Sequence, residues 1–149
     1  MTETLEPIEV DQFLPHPPAK VWRALTTSSL MAKWLMENDF EPVVGHRFSM
    51  KGIPVPAVGF TGLVDSEVLV VEPEKKLSIS WRDGGNGNAL QSVVTWTLVP
   101  EGDGTRLLLR HDGFDASDPT QVVAHRIMSG GWRSQVLTRL VALLDDSQE

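Results

Sequence analysis

The fold is decided by residues 77–111, which read LSISWRDGGNGNALQSVVTWTLVPEGDGTRLLLRH. Apolar and polar residues alternate through three runs of this stretch, as is typical of strands with one buried face. Glycine-rich segments at residues 83–88 and 101–104 separate the runs, because glycine and asparagine tolerate the backbone of tight turns. We therefore predict an antiparallel meander, and its buried face should carry Leu77, Ile79, Trp81, Val94, Trp96, Leu98, Leu107, Leu109 and His111.

The sequence before this meander adds two short helices and further strands. Residues 8–14 alternate like a strand and are followed by three prolines, which stop a strand but are tolerated in the first turn of a helix. Thr and Ser residues then supply a cap for a second helix. The predicted elements are a strand at residues 8–14, helices at 19–25 and 30–35, and strands at 47–50 and 58–71, the last interrupted near Gly62.

The sequence after the meander predicts one long helix at residues 120–145. Trp132, Val136, Leu140 and Leu143 recur there at helical spacing and form one stripe. The length of this helix suits an element that lies across a whole sheet. Because no linker or repeat divides the chain, we predict a single α+β domain over residues 1–149 with its core at about residues 8–145.

The composition restricts the classes of function. The 149 residues include no cysteine, which excludes disulfides and thiolate sites, and the net charge is −7. Scattered Lys and Arg in an acidic chain argue against a nucleic-acid partner. The first residues lack the basic and apolar pattern of a signal peptide, and no apolar run is long enough to cross a bilayer. We expect a cytoplasmic protein without a membrane partner.

Sequence motifs for catalysis and metal binding are absent. The four histidines include no pair at helical i, i+4 spacing, and no Gly-x-Ser-x-Gly motif occurs. The glycines of residues 83–88 lack the lysine and hydroxyl of a phosphate loop. We therefore expect no metal and no cofactor, and we favour a binding protein over an enzyme.

Five tryptophans without any tyrosine are the unusual feature of the composition. Trp34, Trp81, Trp96 and Trp132 lie on different predicted elements. Their rings either fill a solid core or line a cavity for an apolar ligand, and the sequence leaves both possibilities open.

Two histidines are the candidate polar groups near these rings. His111 shares a strand face with Leu109, where it could orient a ligand or act as a general base; a hydrogen-bonded structural histidine is the alternative. His125 and Ser129 can share a helical face with Trp132, although an exposed first half of the helix is an equal alternative.

Several stretches, in order over nearly the whole chain, resemble the family of proteins related to the activator of a heat-shock-protein ATPase. They are FLPHPPAKVWRALT at residues 13–26, Trp34, VGHRF at 44–48, VLVVEPEKKL at 68–77 running into Trp81, VTWTL at 94–98, GTRL at 104–107, HDGF at 111–114, and Gly131 with Trp132. Two positions depart from the family pattern. Residues around Val70 are wholly apolar where an acidic residue is expected, and the leucines expected four and seven residues after Trp132 are Leu137 and Leu140.

The resemblance implies a START-like (SRPBCC) helix-grip fold, in which a curved antiparallel sheet wraps around a long C-terminal helix, with two short helices after the first strand. It also implies a cavity between sheet and helix for a small hydrophobic or aromatic molecule, such as a lipid, polyketide or antibiotic-like compound. A polyketide cyclase or hydrolase, and a co-chaperone that regulates an ATPase, are the alternatives. A homodimer is compatible with the sequence. The candidate ligand-binding residues are Trp34, Phe60, Trp81, Trp96, Leu109, His111, His125, Met128 and Trp132.

Overall fold

The computed structural model describes residues 4–84 and 90–146, and in this part of the chain the strands form one antiparallel sheet. The seven strands lie in the order β1-β7-β6-β5-β4-β3-β2. Their bounds are β1 (Ile8–Leu14), β2 (Glu37–Asn38), β3 (Arg47–Lys51), β4 (Leu63–Glu72), β5 (Lys76–Asp83), β6 (Gln91–Glu101) and β7 (Gly104–Asp112).

The predicted meander is confirmed as strands β5, β6 and β7. Leu77 lies opposite Trp96, and Trp96 lies opposite Leu109, so these three side chains form one row across the buried face. All nine residues predicted for this face are buried. The predicted hairpin loop at residues 83–88 lies largely outside the described residues. The alternation fixes the register because a slip of one residue would turn every apolar side chain to solvent.

Two helices follow β1 as predicted. They are α1 (Pro18–Thr26), with proline in its first turn, and α2 (Ser28–Trp34). The indole N–H of Trp34 donates a hydrogen bond of 2.8 Å to the carbonyl of Ala24, and this bond joins the two helices. The short strand β2, which comes after α2, was not predicted, since two residues are too few for a periodic pattern.

The predicted strand at residues 58–71 is wrong in its first part. Residues Pro56–Val58 form a 3₁₀ turn, and β4 begins only at Leu63. Gly59 (φ +68°) and Gly62 (φ +93°) adopt left-handed backbone conformations that turn the chain and end any extended run. Val70, at the apolar position noted above, lies beside an irregularity in the β4–β5 pairing between Val68 and Val70.

The long C-terminal helix is present, but it contains an internal π-helical turn. It consists of α3 (Pro119–Gly131), a π segment (Trp132–Val136) and α4 (Leu137–Asp146). The side chain of Asp118 caps its start by accepting a hydrogen bond from the backbone N–H of Thr120. None of the helices in the described part of the chain is long and apolar enough to span a bilayer.

The π turn changes which residues face the core. The predicted stripe was Trp132, Val136, Leu140 and Leu143, whereas the buried positions are Trp132, Leu137, Leu140 and Leu144. A π turn closes i to i+5 and so holds one more residue than an α turn. The family pattern places leucines four and seven residues after Trp132. The extra residue of the π turn accounts for their positions here, five and eight residues after it, at Leu137 and Leu140.

Candidate ligand-binding cavity

A cavity of about 430 Å³ lies between the end of the sheet, the C-terminal helix and the loop that joins β3 to β4. Trp81 and Leu90 form its sheet side, and Ala124, Met128 and Trp132 form its helix side. Its volume falls in the range of ordinary small-molecule sites, and such sites are mostly apolar with a few polar groups. The geometry therefore suits an apolar ligand of modest size.

The β3–β4 loop, residues 52–62, closes the cavity from the outside. Gly52, Ile53, Val55 and Phe60 belong to the lining. The loop is held in shape by backbone hydrogen bonds in both directions between Val55 and Phe60 and by one of 2.7 Å from Gly52 N–H to the Gly62 carbonyl. The loop is thus a wall held in shape by its own backbone hydrogen bonds.

Asp83 fastens this loop to the sheet. One carboxylate oxygen of Asp83, at the end of β5, accepts hydrogen bonds from the backbone N–H and the hydroxyl of Thr61, at 2.8 and 3.0 Å. Two donors from one loop residue fix the distance between the loop and the strand end. The carboxylate of Asp83 is therefore part of the support of the cavity.

The π segment, together with the end of α3, forms part of the helix wall. Gly131, Trp132 and Val136 all line the cavity. A Cβ atom added at Gly131 would meet nothing within 4 Å, so the cavity extends up to the helix backbone there. π turns are frequent at functional sites because the extra residue displaces the local backbone and side chains from regular helical positions.

A buried hydrogen-bond chain supports the two tryptophans of the wall. The indole N–H of Trp132 donates to Nδ1 of His111 (3.1 Å), and Nε2 of His111 is 2.8 Å from the hydroxyl oxygen of Ser92. The Ser92 hydroxyl donates to the carbonyl of Trp81 at 2.7 Å. Because Nδ1 must accept and the Ser92 proton is used, the ring of His111 carries its single proton on Nε2.

His111 is thereby held in the neutral form. Its ring is fully buried, and this burial lowers the pKa of His111 to about 3, with a smaller electrostatic contribution from His125. A second proton on Nδ1 would also break the bond from Trp132. His111 acts as a structural link between strand and helix, as in the alternative considered from the sequence.

A comparison with protein-family models relates this architecture to known proteins. Residues 15–145 match the model described as Activator of Hsp90 ATPase homolog 1-like protein. The chain belongs to this family. The helix-grip fold predicted from the resemblance is confirmed, and the family is associated with ligand binding.

The solved structures of several similar proteins superpose on the chain. Protein MLL2253 from Mesorhizobium loti is 40% identical, with a TM-score of 0.81 over 99% of this chain and 100% of its own. Protein BH1534 from Bacillus halodurans is 30% identical, with a TM-score of 0.75 over 97% and 99%. DynU16, a protein from the dynemicin biosynthetic locus, is 25% identical, with a TM-score of 0.74 over 95% of this chain and 48% of its own. No curated protein matches the chain.

The nine candidate ligand-binding residues divide into two groups in this family member. Phe60, Trp81, Met128 and Trp132 line the cavity. The other five are not among the residues that line this cavity, and their part in ligand binding stays a prediction; they are Trp34, Trp96, Leu109, His111 and His125.

Contacts made elsewhere in the structure account for the positions of these residues. Trp34 and Trp96 pack edge to face with ring centroids 6.0 Å apart, and Leu109 is buried opposite Trp96 in the β6–β7 register. The ring of His125 is turned towards the N-terminal segment, where Nε2 lies 2.8 Å from the carbonyl of Glu6. That contact separates His125 from the wall even though its helical spacing from Trp132 suggested a shared face.

Much of the lining was not predicted from the sequence. Met36 follows α2, Ile53 and Val55 lie in the β3–β4 loop, and Leu90 precedes β6. These positions have no regular period, so no pattern marks them. The one available signal was the loop composition, with three glycines and two prolines in residues 52–62 among apolar side chains.

The described residues offer neither a metal site nor a second apolar cavity of this kind. No group of three or more His, Asp or Glu side chains is placed there to hold a metal ion. A polar groove of about 590 Å³ crosses strands β3 to β6, and charges of both signs line it, among them Asp65, Glu67 and Arg82. It lacks the apolar walls that a hydrophobic ligand requires, and no single charge sign dominates it.

Proposed function

We propose that this chain binds a small apolar or aromatic molecule in the cavity between the sheet, the β3–β4 loop and the C-terminal helix. The observation that carries the proposal is the open volume of about 430 Å³ beside Trp81, Trp132 and Phe60. Aromatic side chains present large, flat contact areas and lose little conformational entropy when they are ordered. Such walls favour flat or apolar ligands over hydroxylated ones.

The ligand classes that fit this description are lipids, polyketides and antibiotic-like compounds. DynU16, which shares the fold at 25% identity, comes from the dynemicin biosynthetic locus. We infer a role in holding or carrying such a molecule in the cytoplasm, in a stress- or resistance-linked setting. Binding is favoured over turnover by His111, because both ring nitrogens are engaged in buried hydrogen bonds and the ring does not line the cavity.

A matched pair of helix glycines tests the proposal. Gly131 lines the cavity, whereas its neighbour Gly130 is exposed and is not part of the lining; a Cβ atom at either position meets nothing within 4 Å. Both substitutions by phenylalanine should leave the helix intact, because glycine is the poorer helix former. Only Gly131→Phe adds a large ring next to the cavity.

The measurement is the fluorescence titration of each protein with N-phenyl-1-naphthylamine, a neutral apolar dye. We expect the wild type and Gly130→Phe to bind the dye with equal affinity and Gly131→Phe to bind it at least tenfold more weakly, a difference of about 1.4 kcal/mol. Near-equal binding by all three proteins would place the dye elsewhere and overturn the assignment to this cavity. No binding by the wild type would count against the function itself.

A further inference from the structure

We infer that the natural ligand is an organic acid, with an apolar or aromatic body in the cavity and an anionic group held at the rim by Lys51 and Arg139. The inference rests on the proposed function and adds the ligand's chemical class. Both cations line the cavity, Lys51 as the last residue of β3 and Arg139 in α4. They approach it from the sheet and from the helix.

The cavity lining differs in net charge from the chain as a whole. Acidic residues outnumber Lys and Arg by 20 to 13, so a typical part of the surface carries negative charge. The cavity lining has the opposite balance, with two cations and a single carboxylate, that of Asp83. A rim with this sign attracts anions and repels cations during association.

The two cations have no ion-pair partner in the part of the chain that the structure describes. Other cations on the sheet are paired, for example Arg106 with Asp11 and Glu101. Glu37 lies opposite Lys51 in the β2–β3 register, yet no carboxylate oxygen of the described residues comes within 4.0 Å of Lys51 or of Arg139. Both charges therefore remain available to a bound molecule.

The single carboxylate of the lining does not cancel this effect. Asp83 accepts two hydrogen bonds from Thr61 and serves to fasten the β3–β4 loop. A ligand anion would be repelled from Asp83 and attracted to the two cations, which sets its orientation. Hydrogen bonds to a charged acceptor are stronger than neutral ones, and arginine can bind a carboxylate through two parallel bonds.

Two dyes that differ by one acidic group test the inference. 8-Anilino-1-naphthalenesulfonate is N-phenyl-1-naphthylamine with an added sulfonate, so a comparison of their affinities isolates the contribution of the anion. The test variant is Lys51→Gln with Arg139→Gln. The control variant is Lys33→Gln with Arg126→Gln, which removes the same charge from two exposed positions outside the lining.

We expect the test variant to bind the sulfonate dye about tenfold more weakly than the wild type, because two partly screened ion pairs are lost. Its affinity for the neutral dye should stay within about twofold of the wild type. The control variant should bind both dyes like the wild type, and added salt should weaken only the sulfonate dye. Equal losses for both dyes, or equal losses in test and control variants, would overturn the inference. If the neutral dye binds and the sulfonate gains nothing from the cations, the inference fails while the proposed function stands. If neither dye binds the wild type, both fail.

Discussion

The tryptophans occupy two neighbouring regions of the core that differ in what covers them. In the closed region, Trp34, the last residue of α2, meets Trp96 edge to face, and α1 packs against both α2 and β6. In the open region, Trp81 and Trp132 make a similar contact, with centroids 5.7 Å apart, but they also line the cavity. Trp96 and Trp132 touch, so the two regions are continuous. The same side chain thus becomes core or wall according to whether helices or a turn-rich loop covers it.

The largest expected difference between the regions is in stability. Trp96→Ala removes a fully buried ring from close packing, and we expect it to lower the free energy of unfolding by about 3–5 kcal/mol. Phe60→Ala removes a partly buried ring that already faces open space, so the expected loss is about 1 kcal/mol. Urea unfolding at constant m-value measures both. Equal losses would show that the open region is as tightly packed as the closed one.

The sequence predicts the closed region better than the open one because regular elements have periods. The alternation around Trp96 places its ring on the buried face, and the register follows from the same pattern. The cavity depends on Ile53, Val55 and Met36, which lie in irregular segments where neighbours in space are distant in sequence. The only sign of the π turn in the sequence is the spacing of Leu137 and Leu140 from Trp132. That spacing is unusual only in comparison with the family pattern.

The hydrogen-bond chain through His111 joins the two tryptophans of the open region, Trp81 and Trp132, and makes stability depend on pH. The pKa of His111 is about 3 in the folded state and lies near 6.5 in the unfolded chain, so the unfolded chain takes up the proton first as the pH falls. The contribution of His111 is therefore complete above pH 6.5. It should fall by up to about 1.4 kcal/mol for each pH unit between pH 6.5 and 3.

Urea unfolding of wild type and His111→Gln at several pH values measures this contribution. Glutamine does not titrate, so the variant should be less stable at pH 7 but should lose less stability on acidification. The difference between the two slopes isolates His111 from the carboxylates, which titrate in both proteins. Parallel slopes would mean that the ring is accessible to protons in the folded state and that the chain of hydrogen bonds is open.

The smallest expected effect concerns the π turn at the boundary between the regions. Helix α4 packs against α1 and α2, while the π segment lines the cavity. Deletion of Ser134, an exposed residue of the π segment, should convert the π turn to an α turn and leave Leu137, Leu140 and Leu144 on the core face. We expect the free energy of unfolding to change by no more than about 1 kcal/mol, since regular helix replaces the lost bonds.

The control is Ser134→Ala, which keeps the chain length and removes only the hydrogen bond from the Ser134 hydroxyl to the carbonyl of Gly130. This variant should match the wild type in stability and in dye binding. The deletion should keep the stability of the closed region but weaken dye binding in the open one, because Trp132 and Val136 are drawn to regular helical positions. A deletion variant that binds the dye unchanged would show that the π turn does not shape the cavity. One that is several kcal/mol less stable would show that the π turn is needed to keep α4 in register with the closed region.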